Sequence, residues 1–174
     1  MYARSKLAGE QTVLSRYPAS LVVRINIFGW NAQPKQSFAE SVVDKLERGE
    51  TVLGFTDVRF APLLVNDLAE MLLTLLDGTE SGVYHAASFD SLSKYEFAQA
   101  IATVFDLDAA RIQPSRLEDA RLQAPRPLNT SLNPKKLGSA LGQTMPTIIE
   151  GIHRFLELRE KGYVEKLRNG SRSA

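Results

Sequence analysis

The chain has 174 residues, 44% of them hydrophobic and 24% charged, enough for one globular domain with its own core. Twenty-one lysines and arginines against 20 acidic residues leave a net charge of +1, so no overall field draws in nucleic acid or an anionic membrane. With no cysteine, disulfides, thiolate catalysis and cysteine-ligated zinc are excluded. No apolar run reaches the roughly 18 residues of a membrane span, and the first residues lack a basic-then-apolar leader, so the expected location is cytoplasmic.

In chain order, residues from Ala3 to about Ser15 are helix-compatible, and Pro18 ends the pattern because its ring disfavours helix in the residue before it. This first helix carries Tyr2 and Lys6. "SLVVRINIFG" is β-branched without clear alternation, which predicts one strand buried on both faces, as in a parallel sheet. "SFAESVVDKLERGE" places Phe38, Val42, Val43 and Leu46 on one helical face, with Gly49 as a stop. "NDLAEMLLTLLDG" predicts a helix capped by Asn66, with Leu68, Met71, Leu72, Leu75 and Leu76 on its apolar face and Gly78 as terminator. "GVYHAAS" reads as a short strand, in which His85 points into a core or a neighbouring loop.

"SKYEFAQAIATVF" opens with a capping box from Ser93 to Glu96, and its apolar stripe is Phe97, Ile101, Val104 and Phe105. From Gln113 to Asn133 the prolines Pro114, Pro125 and Pro127 predict a loop. "NPKKL" starts another helix, with Asn133 as cap and Pro134 at the first helical position. The last helix runs from near Pro146 past Leu158 and buries Ile148, Ile149, Ile152, Phe155 and Leu156, with His153 on its flank. "RNGSRSA" predicts a disordered tail. A helix leading into a buried strand is α/β grammar. Neither histidine has a second ligand at metal-site spacing, so no metal site is expected.

Tyr2 and Lys6 stand at i and i+4. A phenol of pKa about 10 is a poor proton donor near neutrality unless its anion is stabilised. Positions i and i+4 share a helix face at about 5–6 Å, so the Lys6 ammonium can stand beside the Tyr2 oxygen and lower its pKa. That suits a general acid that protonates a carbonyl oxygen while hydride arrives at carbon. The same spacing also occurs on ordinary solvated helix surfaces, and the pair alone does not decide between the two.

"YARSKLAGE" followed by "LVVRINIFGW" resembles the second half of the extended short-chain dehydrogenase/reductases, in particular the dTDP-4-dehydrorhamnose reductase branch. There a Tyr-x-x-x-Lys helix leads to a strand bearing an arginine and then an aromatic-glycine step. "FTDVRFAPLLVNDLAEML", "GVYHAASFDSLSKYEFAQAI" and "APRPLNTSLNPKKL" are similar to the same branch, in the same order and over nearly the whole chain. The resemblance implies the carboxy-terminal part of a Rossmann-type NAD(P)-binding fold with a small α+β substrate-binding subdomain. It divides the chain into a catalytic helix and core strand (1–29), a substrate-binding region with closing helices (30–160) and a tail (161–174).

The implied function is hydride transfer from NADPH or NADH to a nucleotide-activated 4-keto sugar. Tyr2 would be the catalytic acid, and Lys6 would lower its pKa and hydrogen-bond the nicotinamide ribose. Asn26, Ile27, Phe28 and Gly29 would line the place where nicotinamide and sugar meet. The strand exit is one residue shorter than the family pattern, which leaves both Asn26 and Ile27 open as the substrate contact. Arg59 and Arg126 would sit in loops that enclose the nucleotide-sugar, where a guanidinium matches two pyrophosphate oxygens at once. For each arginine, bracing its own loop is the equal alternative. Arg24, inside the strand, is expected to tie the strand to neighbouring carbonyls or carboxylates.

No G-x-x-G-x-x-G or G-x-G-x-x-G occurs, and the nearest glycines, Gly138 and Gly142, lie between predicted helices. The Ser or Thr that binds the substrate carbonyl in the family comes from a strand before Tyr2. The expectation is therefore a carboxy-terminal portion that binds no cofactor tightly and has no measurable reductase activity by itself. Its open strand edge and the uncovered face of the first helix would promote self-association. The alternative is a non-catalytic nucleotide-sugar-binding or regulatory module on the same scaffold.

Overall fold

A computed structural model describes residues 2–33, 35–120 and 124–170, without the side chain of Tyr2. Helix α1 (Tyr2–Arg16) leads into β1 (Leu21–Ile25), which pairs in parallel with β6 (Gly82–Ala86), Leu21 opposite Gly82 and Ile25 opposite Ala86. The expected single strand then breaks. β2 (Ile27–Phe28) pairs in parallel with β5 (Leu63–Leu64), and the carbonyl of Asn26 accepts from the Leu63 amide at 2.8 Å. The chain thus steps from one partner to the next at Asn26, a residue type poorly suited to strand interiors. β1 is half-buried instead of buried on both faces, and β6 is its one strand neighbour among the described residues.

Helix α2 (Phe38–Glu47) starts with a capping box between Ser37 and Glu40. β3 (Val52–Phe55) follows, then β4 (Arg59–Phe60), β5, α3 (Val65–Leu76), β6 and β7 (Leu92–Ser93). β4 and β7 pair antiparallel. α4 (Lys94–Val104) carries the expected box between Ser93 and Glu96. The segment from Gln113 to Asn133, expected to be a loop throughout, begins inside β8 (Ile112–Ser115), which pairs in parallel with β3. Pro114 is tolerated because β3 is the one partner of β8 among the described residues, and an edge strand need not donate on its outer side. Opposite Pro114, Gly54 is required by contact: a Cβ there would lie 2.7 Å from the Cα of Tyr95 in α4. After a 3₁₀ turn at Leu117–Ala120 come α5 (Lys135–Leu141), α6 (Ile148–Glu160) and α7 (Tyr163–Gly170).

Several expected helix ends and faces are corrected. α3 begins at Val65 with Leu64 as its uncapped N-terminus, because β5 runs straight into it. Asn66 therefore sits in the first turn, its Oδ1 buried without a hydrogen-bond partner. Asn133 does accept from the Lys135 amide at 3.1 Å, but Pro134 precedes the helix instead of opening it. Leu76 and Ile149, both expected to be buried, are 75% and 41% exposed because each helix docks along a narrower stripe. Of the expected disordered tail, residues 168–170 form the end of α7, and Arg168 reaches Glu40 at 3.5 Å. Residues 171–174 of that tail lie outside the described residues.

Two cores result. The larger one gathers Phe28, Trp30, Phe60, Phe97, Phe105 and Phe155 between α2, α4 and α6. The smaller one sets Leu63, Leu68, Met71, Leu75, Tyr84 and Leu137 between the β1–β6 ladder and helices α3 and α5. Arg154 of α6 bridges Asp67 and Glu70 of α3 and ties the two together.

Candidate active site

The face of the β1–β6 ladder opposite the smaller core meets α1. Arg24 on β1 lies in register with His85 on β6. Its guanidinium donates to the Glu10 carboxylate from Nε at 3.0 and 3.2 Å and from Nη2 at 2.7 Å. This arginine is structural, as the sequence implied. Its hydrogen bonds hold the Glu10 carboxyl below the usual glutamate range, against a smaller opposing effect of burial, with the charges of Arg24 and His85 adding to the effect. Lys6, one turn before Glu10, is exposed. Tyr2 is the first residue of α1, and its side chain lies outside the described set.

At the carboxyl end of β1, Asn26 is half-buried and its Nδ2 donates to the carbonyl and Oγ1 of Thr130, both at 3.5 Å. The Thr130 amide donates to the Arg59 carbonyl at 3.0 Å, and the Arg59 amide donates to the Leu128 carbonyl at 2.7 Å. The stretch 128–130 is thereby pinned between Asn26 and β4. Sequence positions 26, 59 and 128–130 converge in this way.

Ile27 is 42% exposed beside Asn26, whereas the Phe28 ring is buried against Phe97 and Phe155 at centroid distances of 5.3 and 5.7 Å. Gly29 is buried, its carbonyl accepts from Ser37 Oγ at 2.9 Å, and a Cβ on it would meet Val65 Cγ1 at 2.4 Å. Of the four residues expected around the reacting centre, Asn26 and Ile27 present side chains outward, and Phe28 and Gly29 form the support behind them. The Arg59 guanidinium donates to the Ser91 carbonyl at 2.6 Å and lies 3.4 Å from Glu96, so its side chain braces β7 and α4. Arg126 is exposed and lines an open cleft of about 380 Å³ with Asp57, Arg116 and Leu128.

Four residues here carried no functional expectation. Thr130 and Arg116 have no periodicity or spacing that marks them. Glu40 was readable from the Ser37-x-x-Glu40 box: it is buried, and its carboxylate accepts from the Ser37 amide at 2.8 Å and the Asn31 amide at 2.9 Å. Lys94, the first residue of α4, places its ammonium 3.5 Å over the Phe60 ring and 4.5 Å over Phe38. Burial pushes its pKa down to about 8, while the two rings recover part of the lost hydration. Among the described residues no cluster of acidic or histidine side chains could hold a metal ion, and no helix is long and apolar enough to cross a membrane.

Comparison with known proteins adds a family to this geometry. The family model described as RmlD substrate binding domain matches residues 1–160. A probable low-salt glycan biosynthesis reductase, Agl14, of Haloferax volcanii is 33% identical over 151 residues, covering 84% of this chain and 50% of the relative. The dTDP-4-dehydrorhamnose reductase of Mycobacterium tuberculosis is 34% identical over 138 residues, 78% of this chain and 45% of that protein. The crystal structure of dTDP-4-dehydrorhamnose reductase from Bacillus anthracis, solved in complex with NADP, superposes with a TM-score of 0.79 at 26% identity, over 89% of this chain and 54% of that one. The chain spans about half the length of the curated relatives it matches. The fold is that of a Rossmann-type α/β reductase, as the resemblance implied.

Proposed function

The chain belongs to the RmlD substrate-binding domain family, and on that premise we propose that it forms the substrate side of an NAD(P)H-dependent reductase acting on a nucleotide-activated 4-keto sugar. The observation that carries the reading is the convergence at the carboxyl end of β1: Asn26, Thr130 and the backbone of Arg59 are joined there, and ligands of open parallel sheets bind at that end of the strands. Asn26 and Ile27 contact the sugar. Arg126, with its neighbour Arg116 in the same cleft, faces the pyrophosphate, where a planar guanidinium can meet two oxygens. Arg59 acts mainly by holding the stretch 128–130.

Tyr2 gives its phenol proton to the carbonyl oxygen of the sugar, and the Lys6 ammonium lowers the cost of the phenolate left behind. The residues present fit a nicotinamide cofactor at one end. Lys6 stands on an exposed face of α1, where an amine can meet a ribose hydroxyl. The 174 residues contain no glycine-rich turn to receive a pyrophosphate. When bound, such a cofactor supplies hydride to the carbonyl carbon. We assign the cradle for its pyrophosphate to a dinucleotide-binding half that packs on α1 and on the open edge of β1. Where that edge is uncovered, it promotes self-association.

Titration of the isotope-labelled chain with dTDP-rhamnose tests the reading. Resonances of Asn26, Ile27 and Arg126 are expected to shift, and Arg126→Ala is expected to weaken binding about tenfold or more, as loss of a charge-assisted contact does. No shift at millimolar ligand would overturn it. The chain by itself should not oxidise NADPH with a dTDP-4-keto sugar, and turnover abolished by Tyr2→Phe would show that the division of labour is wrong.

A further inference from the structure

Helix α1 is thinly anchored for an element assigned a catalytic task. Among its described side chains only Glu10 and Leu14 are partly covered, and Leu7 and Val13 are 46% and 44% exposed. A helix of this length is marginal in water without tertiary contacts, and its internal hydrogen bonds do not say how it lies on a sheet. Its tie to β1 is directional. The Arg24 fork meets the Glu10 carboxylate through two nitrogens, a planar group against a planar group, which restricts orientation as well as distance. Arg24 is itself fixed by the parallel ladder, in register with His85. Glu10 follows Lys6 by one turn and Tyr2 by two, so the three fall within about 80° of one another around the helix.

We propose that Glu10 is a positioning residue: held by Arg24, its carboxylate sets the roll of α1 on β1, and with it the approach of Tyr2 and Lys6 to a carbonyl at the carboxyl end of that strand. The inference rests on the reading above for what Tyr2 and Lys6 do. Partly exposed ion pairs contribute about 1 kcal/mol or less to stability, whereas a misplacement of about 1 Å at a reacting centre costs about a hundredfold in rate. The pair therefore matters more for position than for stability. The groups facing Glu10 are Arg24 on β1 and His85 on β6, with Lys6 a turn away on α1. Both Arg24 and His85 hold the Glu10 pKa below its ordinary 4.5, so the tie is complete above 4.5 and is lost as pH falls through the lowered value.

The test uses the full chain and its NMR spectrum. In Glu10→Gln the amides of α1 are expected to exchange about threefold to fivefold faster, while those of β1 and β6 keep their protection and Tm moves by no more than about 3 °C, as expected for a pair worth about 1 kcal/mol or less. Arg24→Lys, which keeps the charge but not the fork, should lose part of the protection. The reversed pair, Glu10→Arg with Arg24→Glu, should restore most of it, which separates a specific contact from general damage. The α1 Cα shifts of the wild type should show an acid transition below 4.5 that is absent in Glu10→Gln. Unchanged α1 exchange in Glu10→Gln, or no rescue by the reversed pair, overturns the proposal. The dTDP-rhamnose titration remains the separate test of the reading beneath it, so failure of one is not mistaken for failure of the other.

Discussion

The region around Phe155 and the region around the β1–β6 ladder solve the same burial problem with different materials. In the first, Trp30 stacks on Phe155 at 4.0 Å and donates from Nε1 to the Phe155 carbonyl at 2.9 Å, while Phe28 and Phe97 meet edge to face. Helices α2, α4 and α6 close around these rings. In the second, aliphatic side chains from α3 and α5 cover one face of a two-stranded ladder. The other face holds the Arg24–Glu10 pair under an exposed helix. The contrast teaches that stability and the proposed chemistry are separated: the aromatic core fixes the fold, and the residues proposed for the reaction belong to the ladder's end and to α1, a loosely covered layer.

The largest expected effect breaks that contrast from the aromatic side. Phe155 is fully buried and touches Trp30, Phe28 and Phe105. Phe155→Ala should destabilise the chain by about 3–5 kcal/mol, the cost of a large buried ring plus its cavity. Denaturant unfolding measures this, and Trp30 fluorescence should shift to the red as its stacking partner disappears. A loss below about 1 kcal/mol would mean that the aromatic cluster does not carry the fold.

That same division governs how much could be read from sequence. Helical stripes such as Val42, Val43 and Leu46, or Phe97 and Ile101, are local patterns repeated at helical spacing, and they reappear as the buried faces of α2 and α4. Capping boxes at Ser93 and Thr147 are equally local, and the first was legible. β8 was not, because Pro114 signals a loop and the pairing with β3 bridges about sixty positions. The break of β1 from β2 at Asn26 was hidden for the same reason: it depends on Leu63, far along the chain. At the candidate site, residue types around Tyr2, Lys6 and Asn26 could be recognised by resemblance. Which way the Phe28 ring points, and the role of Thr130 as the link to Arg59, are decided by packing and distant hydrogen bonds.

A smaller effect sharpens the comparison at the edge of the aromatic region. Lys94 is charged at neutral pH inside a slot between Phe60 and Phe38, and burial lowers its pKa from 10.5 to about 8. The unfolded chain therefore holds one more proton than the folded chain between about pH 8 and 10.5, and stability should rise with pH across that window. Lys94→Met should be more stable than wild type by about 1–2 kcal/mol near pH 7, since an apolar chain of similar length avoids the desolvation. The gain should shrink toward pH 10. Thermal melts of both proteins at pH 7 and 10 measure it, and a stability difference that grows with pH would contradict the burial argument.

The smallest effect on stability lies on α1. Leu7 is 46% exposed on a helix that contributes little packing, so Leu7→Ala should change stability by no more than about 0.5 kcal/mol. An ordinary surface leucine would behave in the same way, so stability alone does not separate a spare helix from an unoccupied docking layer. Self-association does. If the uncovered face of α1 and the open edge of β1 form one adhesive surface, Leu7→Lys should reduce association in sedimentation while leaving Tm unchanged, because the added charge would be buried only in the associated form. Equal association of the two proteins would place the adhesive surface elsewhere and leave α1 as a helix held chiefly by Glu10.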